Sequence, residues 1–172
     1  MQQDGLIQAA SVSGSGIPTE KLLRYFEGGP GEVLLRPKSQ FSSYREVLRI
    51  FESARTSLTV VDNYPDSTLF EMFESVNDSV ELRVLTEKPK AGFQLALSKF
   101  KDQYGRSIEV RKHDGKVHDR FVIVDEKDCY SLGTSLNSVG KKLSLLVKLN
   151  EPSAIAALLD QFKEIWDGAS AL

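Results

Sequence analysis

A histidine, an arginine and an aspartate interrupt an apolar run at Lys116-Val117-His118-Asp119-Arg120-Phe121-Val122-Ile123-Val124-Asp125, and Gly133-Thr134-Ser135-Leu136-Asn137 follows one short segment later. Burying an imidazole or an ionised group without a partner costs several kcal/mol, so such residues mark a strand end that opens onto a site. In an extended strand over Val117 to Val124, alternate side chains share a face, which puts His118 and Arg120 together and Asp119 opposite. That pair suits a phosphate. The guanidinium can grip two oxygens, and the imidazole can attack phosphorus or move a proton near neutral pH. Ser135 and Asn137 can add hydrogen bonds to the phosphate or orient the imidazole, and Gly133 lets the backbone approach closely. Asp125 stands at the strand's exit, before a Glu126-Lys127-Asp128 turn.

Competing uses exist for each residue. His118 alone reads as a hydrogen-bonded strand histidine, and Arg120 can equally serve a salt bridge to Asp119 or Asp125. Asp62, with Asn63 and Tyr64 at another strand end, can line the same cleft or belong to a helix-capping turn. Lys141-Lys142 extends the basic surface or forms a solvated turn. His113 lies in a loop-like Lys112-His113-Asp114-Gly115-Lys116 segment with no motif around it.

The elements that must position these residues follow from periodicity. Phe41, Tyr44, Val47, Leu48, Phe51 and Ala54 recur at three and four, predicting a helix over 41–54. Leu58 to Asp62 reads as a β-branched strand, and Asn63-Tyr64-Pro65-Asp66 as a turn whose Asp66 or Ser67 caps a helix running through Val76. Strand, helix and strand are then predicted over 80–86, 90–104 and 108–111. Three closely spaced strands follow, at 117–124, 129–132 and 143–149. Ile155, Leu158, Leu159, Phe162, Ile165 and Trp166 give a last helix over 152–169, with Pro152 in its first turn. This order predicts an α/β sandwich, a mixed central sheet with helices on both faces. A short helix from Pro18 to Phe26 is expected upstream, ended by Gly28-Gly29-Pro30-Gly31, which no Gly-Lys-Ser/Thr follows and which is therefore no phosphate loop.

Composition narrows the class. With 41% hydrophobic and 27% charged residues in 172, the chain reads as one soluble domain over 17–172, preceded by a Gly/Ser-punctuated tail or linker over 1–16 that points to an upstream domain. No apolar run is long enough for a transmembrane segment, no secretory signal is present, and the single Cys129 excludes an internal disulfide, so a cytoplasmic location is expected. Nine basic and six acidic residues between 106 and 148 give a local +3 in a chain of net −2, a bias toward an anionic ligand. Two histidines and one cysteine supply no metal-ligand spacing, so neither metal nor other cofactor is expected.

His118-x-Arg120, four residues, Asp125, then Gly133-Thr134-Ser135-Leu136-Asn137, resembles the phospholipase D superfamily motif, in which His-x-Lys-x4-Asp is followed by Gly-Ser-x-Asn. The resemblance spans roughly residues 40–168. It implies a phospholipase-D-like α-β-α sandwich and a phosphodiester ligand, either nucleic acid or a phospholipid head group. His118 would be nucleophile or acid, Arg120 the phosphate clamp and Asp125 a supporting carboxylate, in metal-independent phosphodiester hydrolysis, most plausibly by a nuclease. Family chemistry uses two histidines across the phosphorus, so a single motif implies a homodimer sharing one site. Two departures stand out: arginine replaces lysine, and an inserted threonine separates Gly133 from Ser135. The His-Asp-Arg start is also similar to the non-catalytic phospholipase-D-like domain at the C-terminus of MIT-domain proteins, which implies the alternative of a phosphate-recognition module within a larger protein.

Overall fold

The computed structural model describes residues 31–172. The predicted helix at 18–26 and the tail at 1–16 lie outside them. Eight strands form one mixed sheet in the order β1-β7-β6-β5-β2-β3-β4-β8. In chain order the elements are β1 (Glu32–Leu35), α1 (Gln40–Glu52), β2 (Ser57–Val61), α2 (Thr68–Phe73), β3 (Glu81–Thr86), α3 (Phe93–Tyr104), β4 (Ile108–Lys112), β5 (Arg120–Val124), β6 (Asp128–Leu132), β7 (Ser144–Lys148), α4 (Pro152–Asp167) and β8 (Ser170–Ala171). Among these helices none is long and apolar enough to cross a membrane.

The β-α alternation of residues 57–112 produces the parallel β2-β3-β4 core. The short connections after it can only make hairpins, so β5, β6 and β7 run as an antiparallel meander beside β2. β2 is buried at all five positions, as a central strand covered on both faces must be. On one face α1, α2 and α3 pack Phe51, Phe70, Phe73, Phe93 and Phe100 against Leu58, Val60, Val84, Val122 and Val124. Helix α4 lies on the other, where Phe162, Ile165 and Trp166 meet Val61, Leu85 and Phe121. Helices therefore cover both faces, three on one and one on the other. The predicted core-packing α4 buries only Trp166 fully, at 7% exposure, and its remaining apolar positions are half-exposed or open.

Several elements differ from expectation. Helix α2 stops at Phe73 rather than Val76. Its start is capped by Asp66, whose Oδ1 accepts from the Thr68 amide at 3.1 Å and the Thr68 hydroxyl at 2.6 Å. Strands β1 and β8 carry too few residues for a periodic signal and exist because partners 100 or so residues away, or the end of α4, bring them to a sheet edge. Strand β5 begins at Arg120, not Val117.

Candidate functional site

The carboxyl ends of parallel strands are where open α/β sheets hold ligands, where neighbouring connections diverge. Here β2 is that divergence point, leading to β3 on one side with β5 on the other. The end of β2 (Asp62–Tyr64), the start of β5 (Arg120) and the turn after β6 (Gly133–Asn137) all reach this same sheet end.

Arg120 opens β5 at this sheet end. It shares strand parity with Val122 and Val124, so it points to the α1–α3 face, opposite Leu132 of β6. Among the described residues its buried Nε has no hydrogen-bond partner and the guanidinium makes no ion pair. Neither Asp119 nor Asp125 satisfies it, so the salt-bridge use considered from sequence does not arise.

His118 is exposed and lies outside the strand, in the loop before β5. The expected pairing with Arg120 on one strand face therefore does not hold: alternation applies only within an extended ladder, and the ladder starts two residues later. With Lys116, His118 borders a groove of about 240 Å³ under α4, walled by Val61, Leu85, Phe121 and Phe162. No side-chain hydrogen bond to a described residue orients its imidazole.

Asp125 is at the opposite end of β5, five positions from Arg120 and so roughly 17 Å away. Its carboxylate accepts from the backbone amides of Arg55, Thr56 and Ser57 and from the Thr56 hydroxyl, at 2.7–3.1 Å. Burial would raise its pKa, but these four donors outweigh burial and hold it at about 2, below the ordinary 3.8. This corrects the expectation of a site carboxylate: Asp125 ties the β5–β6 turn to the start of β2. Its contribution to stability is present above the ordinary value and is lost as pH falls through about 2. Asp125→Ala leaves three amides without their acceptor and is expected to cost about 1–3 kcal/mol in chemical denaturation at pH 7. A smaller loss at pH 2 in the same measurement checks the assignment.

Asp62, Ser135 and Asn137 are brought together, but facing one another. Asp62 is fully buried. Its Oδ2 accepts from Ser135 Oγ at 2.6 Å and the Leu136 amide at 3.0 Å, and its Oδ1 from the Tyr64 amide at 3.0 Å. Asn137 Nδ2 donates to Tyr64 O at 2.9 Å, and its Oδ1 accepts from Ser138 Oγ. These bonds pin the turn after β6 to the end of β2. The donors expected to hold a phosphate are spent on the scaffold beneath it. Gly133 packs closely on β7: a Cβ there would come within 2.8 Å of Ser144 Oγ, which would have to turn away.

Sequence reading underrated His113 and Asn63. Both are buried, at 3% and 5% exposure, and they bond to each other. Only the adjacency of Asn63 to Asp62 hinted at this. Around the sheet end stand exposed lysines: Lys88 and Lys90 after β3, Lys112 at the end of β4 and Lys116 after it, Lys141 and Lys142 beyond Asn137. Lys88 pairs with its neighbour Glu87, and Lys141 Nζ donates to Asn137 O.

The sequence matches no protein-family model and no curated protein. Among solved structures, the fold is similar to Nuc, a phospholipase D family member from Salmonella typhimurium, at 18% identity and TM-score 0.58, over 84% of this chain and 99% of that one. It is similar to NucT from Helicobacter pylori at 12% identity and TM-score 0.61, over 82% and 98%. TrmBL2, an archaeal chromatin protein whose structure shows a novel mode of DNA binding, matches at 18% and 0.56, over 83% of this chain and 55% of that one. The fold is phospholipase-D-like.

Proposed function

From a phospholipase-D-like fold as premise, we propose that this chain is a phosphodiester-recognition module that binds nucleic acid at the end of β2 and β5, with Arg120 as its clamp. The observation that carries this reading is the unpaired guanidinium. A guanidinium with a buried, unpartnered Nε is destabilising unless an anion completes it, and a phosphate presents the two oxygens its fork requires. The lysines along the sheet end supply the sequence-independent attraction a polyanion needs. TrmBL2, with a similar fold, is a DNA-binding protein by its description.

Cleavage through His118 is the second reading, favoured by similarity along nearly the whole length of Nuc and NucT. In it, an imidazole nitrogen of His118 attacks phosphorus, the alcohol leaves with a proton from His118 of a second copy, and water then hydrolyses the phosphohistidine. A nucleophilic imidazole needs a partner on its second nitrogen. Among the described residues His118 has none, which is why binding is the first reading.

Titration of a labelled single-stranded oligonucleotide by fluorescence anisotropy tests the proposal. Binding is expected to weaken steeply with salt, with a log–log slope of roughly −2 to −3 for three or four neutralised phosphates. No binding at low salt overturns it. Preferential binding to vesicles of acidic phospholipid would assign the site to membranes instead. Metal-independent cleavage of the oligonucleotide, lost in His118→Ala and accompanied by a dimer in solution, would move the second reading to first place.

A further inference from the structure

His113 follows β4 directly and takes no part in the anion contacts described above. Its amide continues the β3–β4 ladder, donating to Thr86 O at 2.9 Å. Its Nδ1 accepts from the Lys116 amide at 3.1 Å, and its Nε2 is 2.9 Å from Asn63 Oδ1. A carbonyl oxygen only accepts, so Nε2 carries the proton and the imidazole is neutral. The amide of Asn63 is oriented by its second bond, Nδ2 donating to Val117 O at 2.6 Å. Three hydrogen bonds thus join residues 116 and 117 to the ends of β2 and β4. The loop they hold is otherwise exposed at 114–116, turns through Gly115 at φ +59°, and carries His118 and Asp119 without side-chain hydrogen bonds among the described residues.

We propose that His113 and Asn63 are positioning residues for the anion site: a neutral-imidazole clamp that sets the 113–119 loop against the sheet end, and whose release on protonation of His113 weakens phosphodiester binding. This rests on the reading of Arg120 as a phosphate clamp. The loop leads directly into Arg120, so its placement decides where β5 begins and where Lys116 and His118 stand.

A second proton on His113 must go to Nδ1. There it meets the Lys116 N–H, turning an acceptor into a donor that faces another donor. Burial is the largest influence on the imidazole and lowers its pKa below the ordinary 6.5. Glu87 beyond β3 and Asp114 in the loop oppose burial, and Lys116 adds to it. Asn63 and the Thr86 carbonyl, which complete its surroundings, are uncharged. The folded value is depressed, so the clamp is intact above 6.5 and is lost as pH falls through the lowered value.

The sign of the effect is diagnostic. A site driven by charge alone does not bind an anion less tightly in acid, where the protein's net charge only becomes more positive. A clamped site does the reverse, losing up to about tenfold in affinity per pH unit below the His113 pKa, as the competent fraction falls.

The test uses the full chain with a labelled ten-nucleotide oligothymidylate at constant ionic strength from pH 8 to pH 5. Wild-type affinity is expected to fall at the acid end, and His113→Gln, which cannot titrate, is expected to abolish that fall. A readout needing no variant accompanies it: NMR of the wild type, where exchange protection of the Lys116 amide should disappear along the titration of the His113 ring. Affinity that rises steadily into acid overturns the proposal, as does a Lys116 amide that stays protected while His113 protonates. If the oligonucleotide binds at no pH, the phosphate reading itself fails, and the loss or persistence of Lys116 protection still decides for or against the clamp.

Discussion

Arg120→Ala is expected to weaken oligonucleotide binding roughly 10- to 150-fold, the loss of charge-assisted hydrogen bonds together worth about 1.5–3 kcal/mol. The companion substitution Arg120→Met separates a ligand-binding arginine from a structural one. A structural arginine satisfies protein acceptors, and its removal destabilises the fold. Arg120 satisfies none among the described residues and buries its Nε unpaired. Replacing it with an apolar side chain of similar length removes a desolvation penalty, so Arg120→Met should retain or raise the melting temperature while losing binding. Arg120→Lys keeps the charge but not the two-pronged geometry and should fall between, at roughly tenfold weaker. Titration by anisotropy and thermal melting by circular dichroism read the two quantities separately. A melting temperature that drops by several degrees in Arg120→Met would make the arginine a scaffold element and remove the main support for the site.

Arg106→Ala should be the most destabilising single substitution among the arginines. Arg106 is 7% exposed, and its guanidinium gathers four carbonyls from the end of α2 and the connection to β3. Nη1 donates to Phe73 O at 2.9 Å and Val76 O at 3.0 Å, and Nη2 to Asn77 O at 2.8 Å and Val80 O at 3.5 Å. The last carbonyls of a helix have no partners within it, and burial here leaves little water to replace the guanidinium. Asp78 adds an ion pair at 3.7 Å, and the Phe100 ring lies 6.0 Å from the guanidinium carbon. Truncation takes a donor from all four carbonyls, of which Phe73 O and Asn77 O keep the Val76 and Val80 amides, and opens a void beside Phe100. A loss of roughly 3–5 kcal/mol follows, or about 6–20 °C in melting temperature for a domain of this size. Arg106→Lys should recover part of it, since one ammonium can reach two of the four carbonyls. A loss under about 1 kcal/mol in Arg106→Ala would mean that the α2–β3 connection rearranges to find water. The contrast between these two arginines is the test: one holds the fold and the other, on the present reading, awaits a ligand.

Much of the architecture was legible because helix and strand periodicities are local. In the α1 stripe Val47, Leu48, Phe51 and Ala54 are buried as their spacing predicts, though Phe41 at its start is 79% exposed, and the β-α order of residues 57–112 yields the parallel core. The site was legible in residue type more than in geometry. His118, Arg120, Ser135 and Asn137 do converge on one sheet end with Asp62, but strand parity failed at His118 because the ladder begins at Arg120. Asp125 looked like part of the site because it closes the same strand. A strand's two ends are far apart, and only the fold shows which end faces the ligand.

By itself the sequence determined the chemical inventory: an arginine and a histidine two residues apart, a serine and an asparagine after the next strand, and the periodicity that builds an α/β sandwich. Tertiary structure alone decided the partner of each polar group. Ser135 and Leu136 reach Asp62 across 73 and 74 residues, and His113 reaches Asn63 across 50. Hydrogen bonds depend on distance and angle in space, and neither is encoded in local spacing once the chain has crossed the sheet. That is why the expected phosphate ligands Ser135 and Asn137 became scaffold, the overlooked His113 became a clamp, and Arg120 was left with its guanidinium unpaired.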